Sequence, residues 1–134
     1  MSKAKEAGRL LANNLIENFS DRHVTLIGFS MGTEVVLACI EELIRFNKEN
    51  ILLNITTFGG VAEQAEVDKC IQQSRYPLWW INFKSEKDWA VRYLFWICNL
   101  GGRPIGEKGI LEVEGHEVEN YEVGHIVKGH LEYR

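Results

Sequence analysis

The sequence lacks the features that mark several classes of protein. No apolar run approaches the roughly 18 residues of a membrane-spanning helix, and the charged start has no signal-peptide segment. Its three cysteines show no framework spacing, which indicates reduced thiols rather than a disulfide scaffold. The net charge is −4 and the basic residues are scattered, so nucleic acid is not an expected partner. We therefore expect the chain as given to be cytoplasmic.

The sequence contains what one globular domain needs. Its 134 residues are 46% hydrophobic and 25% charged, which is ordinary for a folded chain that buries a core without disulfides. Histidines and carboxylates nowhere show metal-ligand spacing, so we expect neither a metal nor another cofactor. We treat residues 1–134 as a single domain.

Apolar periodicity predicts helices that alternate with strands. Strands that alternate with crossover helices imply a parallel sheet covered on both faces, so the predicted class is α/β with three α/β/α layers. The nearly continuous apolar character of the first strand likewise predicts burial on both faces. The predicted helices are 3–19, 33–47, 62–73 and 89–99, and the predicted strands are 24–29, 51–58 and 78–84, with one or two more within 110–123.

The first predicted strand runs directly into Gly-Phe-Ser-Met-Gly, and a helix follows at once. This is the strand–turn–helix setting of a nucleophile elbow, in which a serine sits on a sharp, strained turn. We interpret Ser30 as a nucleophile rather than as part of a plain connecting turn. Gly28 and Gly32 lack Cβ atoms, which would let the strand and the helix approach closely. The N–H of Met31 would point at the developing oxyanion.

A serine nucleophile needs a histidine base and an acid that orients the histidine. On this type of sheet the order along the chain is serine, acid, histidine. Asp88 follows the third predicted strand and is the favoured acid. Glu86 in the same loop and Asp68 on the preceding helix are its rivals. An aspartate at position 88 also suits the N-cap of the next predicted helix, which is compatible with catalysis.

Three histidines follow Asp88 in the chain and are candidates for the base: His116, His125 and His130. His125 and His130 each follow a glycine, and chemistry alone does not separate them. His116, in a predicted strand or hairpin, and His23, before the elbow strand, are interpreted as solvated surface residues.

Aromatic side chains cluster between residues 76 and 96. We interpret most of them as core packing, and the alternative is an acyl pocket or a membrane-facing surface. Trp79 and Trp80 are adjacent on a predicted strand, so their side chains must point to opposite faces.

Four stretches carry a resemblance to a known family: residues 4–16, 24–43 around the elbow, 82–94 with Ser-Glu-Lys-Asp-Trp, and 127–134 with Gly-His-Leu-Glu-Tyr-Arg. The chain resembles α/β-hydrolase-fold proteins grouped as a domain of unknown function and typified by transmembrane and coiled-coil domain-containing proteins. The resemblance implies that the triad falls on Ser30, Asp88 and His130, which favours His130 over His125. Such proteins carry upstream hydrophobic segments, so membrane association would come only through segments that this sequence lacks.

The resemblance also implies that the chain is the C-terminal half of an α/β-hydrolase fold. Such a fold has about eight strands, and the serine follows the fifth. The earlier strands and the loop that supplies a second oxyanion amide are absent from this sequence. An unpaired edge beside residues 24–29 would invite pairing with a second copy, so we expect a homodimer.

Two hypotheses of function follow. The first is a serine hydrolase of esterase, lipase or thioesterase type, acting on a small ester or lipid-like substrate through a Ser-His-Asp triad. The second is a catalytically silent, hydrolase-like module used in protein interaction or membrane-linked trafficking.

Overall fold

A computed structural model describes residues 2–85 and 104–125 of the chain. Helices and strands alternate through most of this part, as the apolar periodicity predicts. The elements in chain order are α1 (Lys3–Phe19), β1 (Val24–Phe29), α2 (Gly32–Arg45), a 3-10 turn (Glu49–Ile51), β2 (Leu52–Phe58), α3 (Gln64–Gln73), β3 (Trp79–Lys84), α4 (Ile105–Lys108) and β4 (Glu117–Glu122).

The four strands form one parallel sheet in the order β1-β2-β3-β4. Helices flank this sheet, so the α/β class is confirmed and the architecture is consistent with a three-layer α/β/α fold. Because all four strands run in the same direction, their carboxyl ends lie along one rim. In open parallel sheets this rim is where sites are built.

The predicted boundaries agree fully for two elements and differ by one or two residues in others. The bounds of α1 and β1 are those predicted, whereas α2 begins one residue earlier and α3 two residues later than predicted. The described tail holds a single strand, β4, and the short helix α4 was not predicted. Four residues are too few to show a helical period. The predicted helix over residues 89–99 lies outside the described residues.

One face of the sheet packs against the helices, and we call it the covered face. Leu26, Ile55 and Trp80 lie side by side on this face in the register of the strands, and Val118 continues the row. Burying this row removes apolar surface from water, which is the main stabilising contribution to such a core. Helices α1, α2 and α3 contribute Ala12, Leu15, Val36, Leu37, Cys39, Ile40, Leu43, Val67, Cys70 and Ile71 to the same cluster.

The opposite face, which we call the exposed face, is less well covered. Ile27 is 68% exposed and Trp79 is 39% exposed, whereas their neighbours on the covered face are buried. The prediction that β1 is buried on both faces is therefore wrong. The prediction that Trp79 and Trp80 point to opposite faces is confirmed, because Trp80 is 0% exposed.

Aromatic rings line the exposed face close to the carboxyl rim. Phe58 and Phe83 stack with their centroids 4.8 Å apart, and Phe83 and Tyr121 stack at 5.5 Å. Phe29 is the register partner of Phe58, so the row crosses all four strands. Within the described residues, these aromatics pack along the surface of the sheet rather than in its buried core.

Candidate active site

The elbow has the strained backbone that the motif predicts. β1 ends at Phe29, α2 begins at Gly32, and Ser30 between them has φ 54°. Of the described non-glycine residues only Ser30 and Asn47 have positive φ, and Asn47 lies just past the end of α2, where asparagine commonly takes this conformation. A left-handed serine costs on the order of 1–3 kcal/mol and persists only where its surroundings hold it.

The two glycines of the motif have different roles. A Cβ on Gly28 would lie 2.9 Å from Val36 Cγ2 and 3.2 Å from the Gly32 carbonyl oxygen, so this glycine permits the close approach of β1 and α2. A Cβ on Gly32 would meet nothing within 4 Å. The expectation for Gly28 is confirmed, and the expectation for Gly32 is wrong because a Cβ there would face open space.

Thr33 joins the elbow to the loop after β2. Its hydroxyl donates to the Ser30 carbonyl oxygen at 2.7 Å and accepts from the N–H groups of Val61 and Ala62 at 3.1 and 3.2 Å. The side chain is fully buried. Sequence reasoning missed this residue. The only signal was a hydroxyl in the first turn after the motif, which names no partner.

Met31 occupies the N-cap position of α2, with helical dihedral angles and a side chain that is 49% exposed. The N–H groups of Thr33 and Glu34 donate to the carbonyls of Ser30 and Met31. Within residues 2–85 and 104–125, the Met31 N–H donates to no backbone carbonyl in the turns, loops and helix caps. A helix N-terminus with an available N–H is suited to binding an anion.

The loops at the rim are tied together tightly. The Ser30 N–H donates to the Phe58 carbonyl at 3.0 Å, which joins the ends of β1 and β2. The Gly106 N–H donates to the Gly60 carbonyl at 2.8 Å, and the Gly106 carbonyl accepts from Ser85 N–H at 2.8 Å. A Cβ on Gly106 would lie 2.4 Å from the Gly60 nitrogen, so the two backbones touch. Backbone hydrogen bonds therefore connect the loops of the rim next to Ser30 to one another.

A buried polar network supports this rim from the covered face. Trp80 Nε1 donates to the Thr57 hydroxyl at 2.9 Å, and that hydroxyl donates to Asn82 Oδ1 at 2.7 Å. Asn82 Nδ2 donates to the Ile105 carbonyl at 2.8 Å and to Asn120 Oδ1 at 3.1 Å. The network links β2, β3, β4 and α4. It was not predicted, because single polar residues in apolar strands do not reveal their partners.

The predicted acid and base are described only in part. Asp88, its rival Glu86 and His130 lie outside the described residues. His125 is described: it is exposed and follows the end of β4 at Glu122 by three residues. Asp68, the rival on α3, is buried and accepts from the Leu111 N–H at 3.2 Å, and its burial raises the pKa of the carboxyl group.

His116 has a structural position rather than a solvated one. Its Nδ1 accepts from the Leu78 N–H at 3.0 Å, where β3 begins. The residue is half-buried, and this burial lowers the pKa of its imidazole. The prediction that His116 is a solvated surface histidine is therefore wrong. The bond requires an unprotonated Nδ1, so the neutral form is the one that fits here.

The cysteines of the described residues are buried and free. Burial raises the pKa of Cys39 to about 12, and burial also raises the pKa of Cys70. Thiols of this kind are inert, since the thiolate is the nucleophile and the metal ligand. No group of three or more potential metal ligands occurs in the part of the chain that the structure describes. Cys98 lies outside that part.

Comparison with known sequences places the chain in a family. The profile of the family described as "Protein of unknown function (DUF726)" matches residues 1–134. The chain belongs to the DUF726 family. No solved structure matches it at a significant level.

The DUF726 relatives are long proteins. The chain is 34% identical over 140 residues to a protein of Saccharomyces cerevisiae named "Probable lipase MIL1", a match that covers 100% of this chain and 12% of that protein. It is 32% identical over 136 residues to the uncharacterized membrane protein C6F6.13c of Schizosaccharomyces pombe, covering 100% of the chain and 17% of the relative. It is 31% identical over 140 residues to the uncharacterized membrane protein F35D11.3 of Caenorhabditis elegans, covering 99% and 22%.

The chain thus spans less than a quarter of the length of these relatives. Two of them are named membrane proteins. Among the described residues of this chain, no helix has the length and apolar character needed to cross a bilayer.

Proposed function

We propose that this DUF726 domain is the C-terminal half of an α/β-hydrolase and cleaves an ester or thioester of a lipid-like substrate. Ser30 is the nucleophile, His130 the base and Asp88 the residue that orients the histidine. The Met31 N–H is one donor of the oxyanion hole. His125 and Glu86 are the alternates for base and acid. The left-handed backbone of Ser30 at a strand–helix turn is the observation that carries the proposal.

The proposed reaction has two steps, acylation of Ser30 and hydrolysis of the acyl-serine. The Ser30 hydroxyl attacks the acyl carbon while His130 takes its proton, and the carbonyl oxygen becomes an oxyanion at the Met31 N–H. The carbon–oxygen or carbon–sulfur bond then breaks, and the histidine returns the proton to the leaving alcohol or thiol. Water attacks the acyl-serine in the same way, releasing the acid and restoring the serine.

The geometry of the elbow supports a catalytic use of Ser30. Strain at a single non-glycine residue is retained where the fold over-determines it, and this happens most often at functional sites. Here three hydrogen bonds from Thr33 and Val61 converge on the Ser30 carbonyl. A plain connecting turn would take a glycine at this φ without cost.

The position of β4 favours His130 over His125. β1 and β4 are three strand spacings apart, which is about 14 Å, and a base must come within about 3 Å of the serine oxygen. His125 comes soon after β4, and a turn in which the Gly124 N–H donates to the Glu122 carboxylate holds the chain beside β4. A histidine further along the tail has the length of chain needed to return across the rim.

The relatives support the substrate class and the cellular setting. One relative is named a probable lipase and two are named membrane proteins. We propose that the longer proteins act at or near a membrane and that the anchoring segments lie elsewhere in them.

Fluorophosphonate labelling, read by intact mass, tests the proposal. We expect one label on the purified chain, no label on Ser30→Ala and full labelling of Ser74→Ala, a surface control. Thermal melts show that all three are folded. Separate His130→Ala and His125→Ala variants then test the base, and we expect the first to lose labelling and the second to keep it.

A folded wild-type chain that takes no label would count against catalysis by this domain alone. The same labelling on a full-length DUF726 protein would then decide whether the second oxyanion donor must come from the rest of the protein. No label there would remove the hydrolase proposal.

The second candidate is a silent hydrolase-like module that binds a protein. The exposed face favours it, because Ile27 on β1, an edge strand of the described sheet, and Trp79 on β3 both present apolar surface there. Under this proposal Ser30→Ala would leave partner capture by the full-length protein unchanged, and Ile27→Asp would abolish it. Under the hydrolase proposal, Ser30→Ala would abolish turnover and Ile27→Asp would leave it unchanged.

A further inference from the structure

Thr33 uses every hydrogen-bonding position that its hydroxyl has. A threonine hydroxyl can donate once and accept twice. Here it donates to the Ser30 carbonyl and accepts from the N–H groups of Val61 and Ala62. The backbone N–H of Thr33 also donates to the Ser30 carbonyl, at 3.1 Å. One buried side chain therefore couples the nucleophile turn to the loop after β2.

The Ser30 carbonyl and the Met31 N–H belong to the same peptide unit. A trans peptide is planar, and its C=O and N–H point in opposite directions. Any group that fixes the direction of the Ser30 carbonyl therefore fixes the direction of the Met31 N–H as well. Among the hydrogen bonds that described residues make to this carbonyl, the hydroxyl bond at 2.7 Å is the shortest.

We propose that Thr33 is a positioning residue that aims the Met31 N–H at the oxyanion by anchoring the Ser30 carbonyl to the Val61–Ala62 loop. This inference rests on the proposed hydrolase function. It assigns Thr33 no contact with substrate. It also makes the loop after β2 part of the support of the oxyanion hole.

The surroundings of Thr33 supply a matched pair of variants. Its methyl group, Cγ2, packs so close to Gly60 that a Cβ there would lie 2.8 Å away. Thr33→Val keeps a branched side chain of similar size and removes the hydroxyl. Thr33→Ser keeps the hydroxyl and removes the methyl group. Packing and hydrogen bonding are therefore separated in two substitutions.

Labelling rate and hydrolysis of an activated ester are the functional readouts, measured well below the melting temperature of each variant. We expect Thr33→Val to lower the fluorophosphonate labelling rate and kcat roughly 10- to 100-fold, with KM little changed, because a misdirected donor acts on the transition state. We expect Thr33→Ser to stay within a few-fold of the wild type. A folded Thr33→Val that labels at the wild-type rate would overturn the inference. If Thr33→Val does not fold, Thr33→Ala takes its place, since it adds no apolar group against the two amides.

A second readout does not depend on catalysis. In amide NMR spectra we expect the Met31 and Ala62 N–H resonances to shift and exchange faster in Thr33→Val than in Thr33→Ser. If the wild-type chain does not label, catalysis by this domain alone is ruled out, and these spectra alone decide whether Thr33 anchors the Met31 peptide. Unchanged Met31 and Ala62 resonances in Thr33→Val would overturn the anchoring.

Discussion

The two faces of the sheet are built from similar residues and serve different ends. Ile55 on the covered face is 0% exposed, while Ile27 on the neighbouring strand is 68% exposed on the other face. Both belong to apolar strands of the same parallel sheet. The comparison shows that an apolar residue in a strand predicts the strand but does not predict whether its own side chain is covered by another layer.

The largest expected effect comes from truncating the two isoleucines. We expect Ile55→Ala to lower the free energy of unfolding by about 2–5 kcal/mol, because it leaves a cavity in a packed core. We expect Ile27→Ala to change it by less than about 0.5–1 kcal/mol, because little contact is lost. Urea unfolding of both variants and the wild type measures the difference. Equal losses would mean that the exposed face is packed as tightly as the covered one.

Alkaline pH is expected to lower the free energy of unfolding through Cys39 and Cys70, which lie in the core on the covered face. In the unfolded chain these thiols ionise near pH 8.5, whereas burial raises the pKa of Cys39 to about 12 in the folded chain. Above about pH 8.5 the unfolded state therefore releases protons that the folded state keeps, and stability falls as the pH rises. We expect roughly 1–2 kcal/mol of loss per thiol by pH 10.

Urea unfolding of the wild type and Cys39→Ala at pH 7 and pH 10 isolates this contribution. The variant loses some stability at both pH values because the core is less filled. We expect the additional loss at pH 10 to be smaller in the variant. An identical pH dependence in the two proteins would show that Cys39 ionises normally in the folded state.

The elbow glycines sharpen the comparison at the rim. Gly28→Ala brings a Cβ against Val36 and the Gly32 carbonyl, so we expect a loss of about 1–3 kcal/mol and a lower labelling rate. Gly32→Ala meets open space in the first turn of α2, so we expect no loss and up to about 1 kcal/mol of gain. Thermal melts and labelling of the pair provide the measurement. If Gly32→Ala were destabilised, the result would support the close approach of strand and helix that the sequence predicts at Gly32.

The smallest effect on stability concerns the two edges of the sheet. In the described residues β1 pairs only with β2 and its sequence carries no charge, whereas β4 contains three glutamates. Charged residues protect an edge against further pairing. We propose that the chain forms a homodimer by pairing at β1, and we expect Ile27→Lys to make it monomeric in light scattering, with Glu119→Gln as the control. A monomeric wild type would remove this proposal.

The sequence predicts best those elements whose pattern lies within a few neighbouring residues. The apolar spacing of α1 and the continuous apolar run of β1 predicted their bounds, and glycines around Ser30 predicted the strained turn. Sequence reasoning missed α4, which is too short to have a period. It also misjudged His116, because nothing near His116 in the chain indicates that its ring accepts from an amide 38 residues away.

The chain order of strand, motif and helix, together with alternating periodicity, was enough to predict a parallel α/β sheet with Ser30 at its carboxyl rim. These features are local, since they depend on residues within a turn or a strand of one another. Only the tertiary structure decided which face of β1 is covered, that Gly28 and not Gly32 is the glycine of close approach, and that the Thr33 hydroxyl reaches Val61 and Ala62. Each of these depends on which backbone atoms lie within a few ångströms in the folded chain, and that proximity is set by the packing of elements distant in sequence.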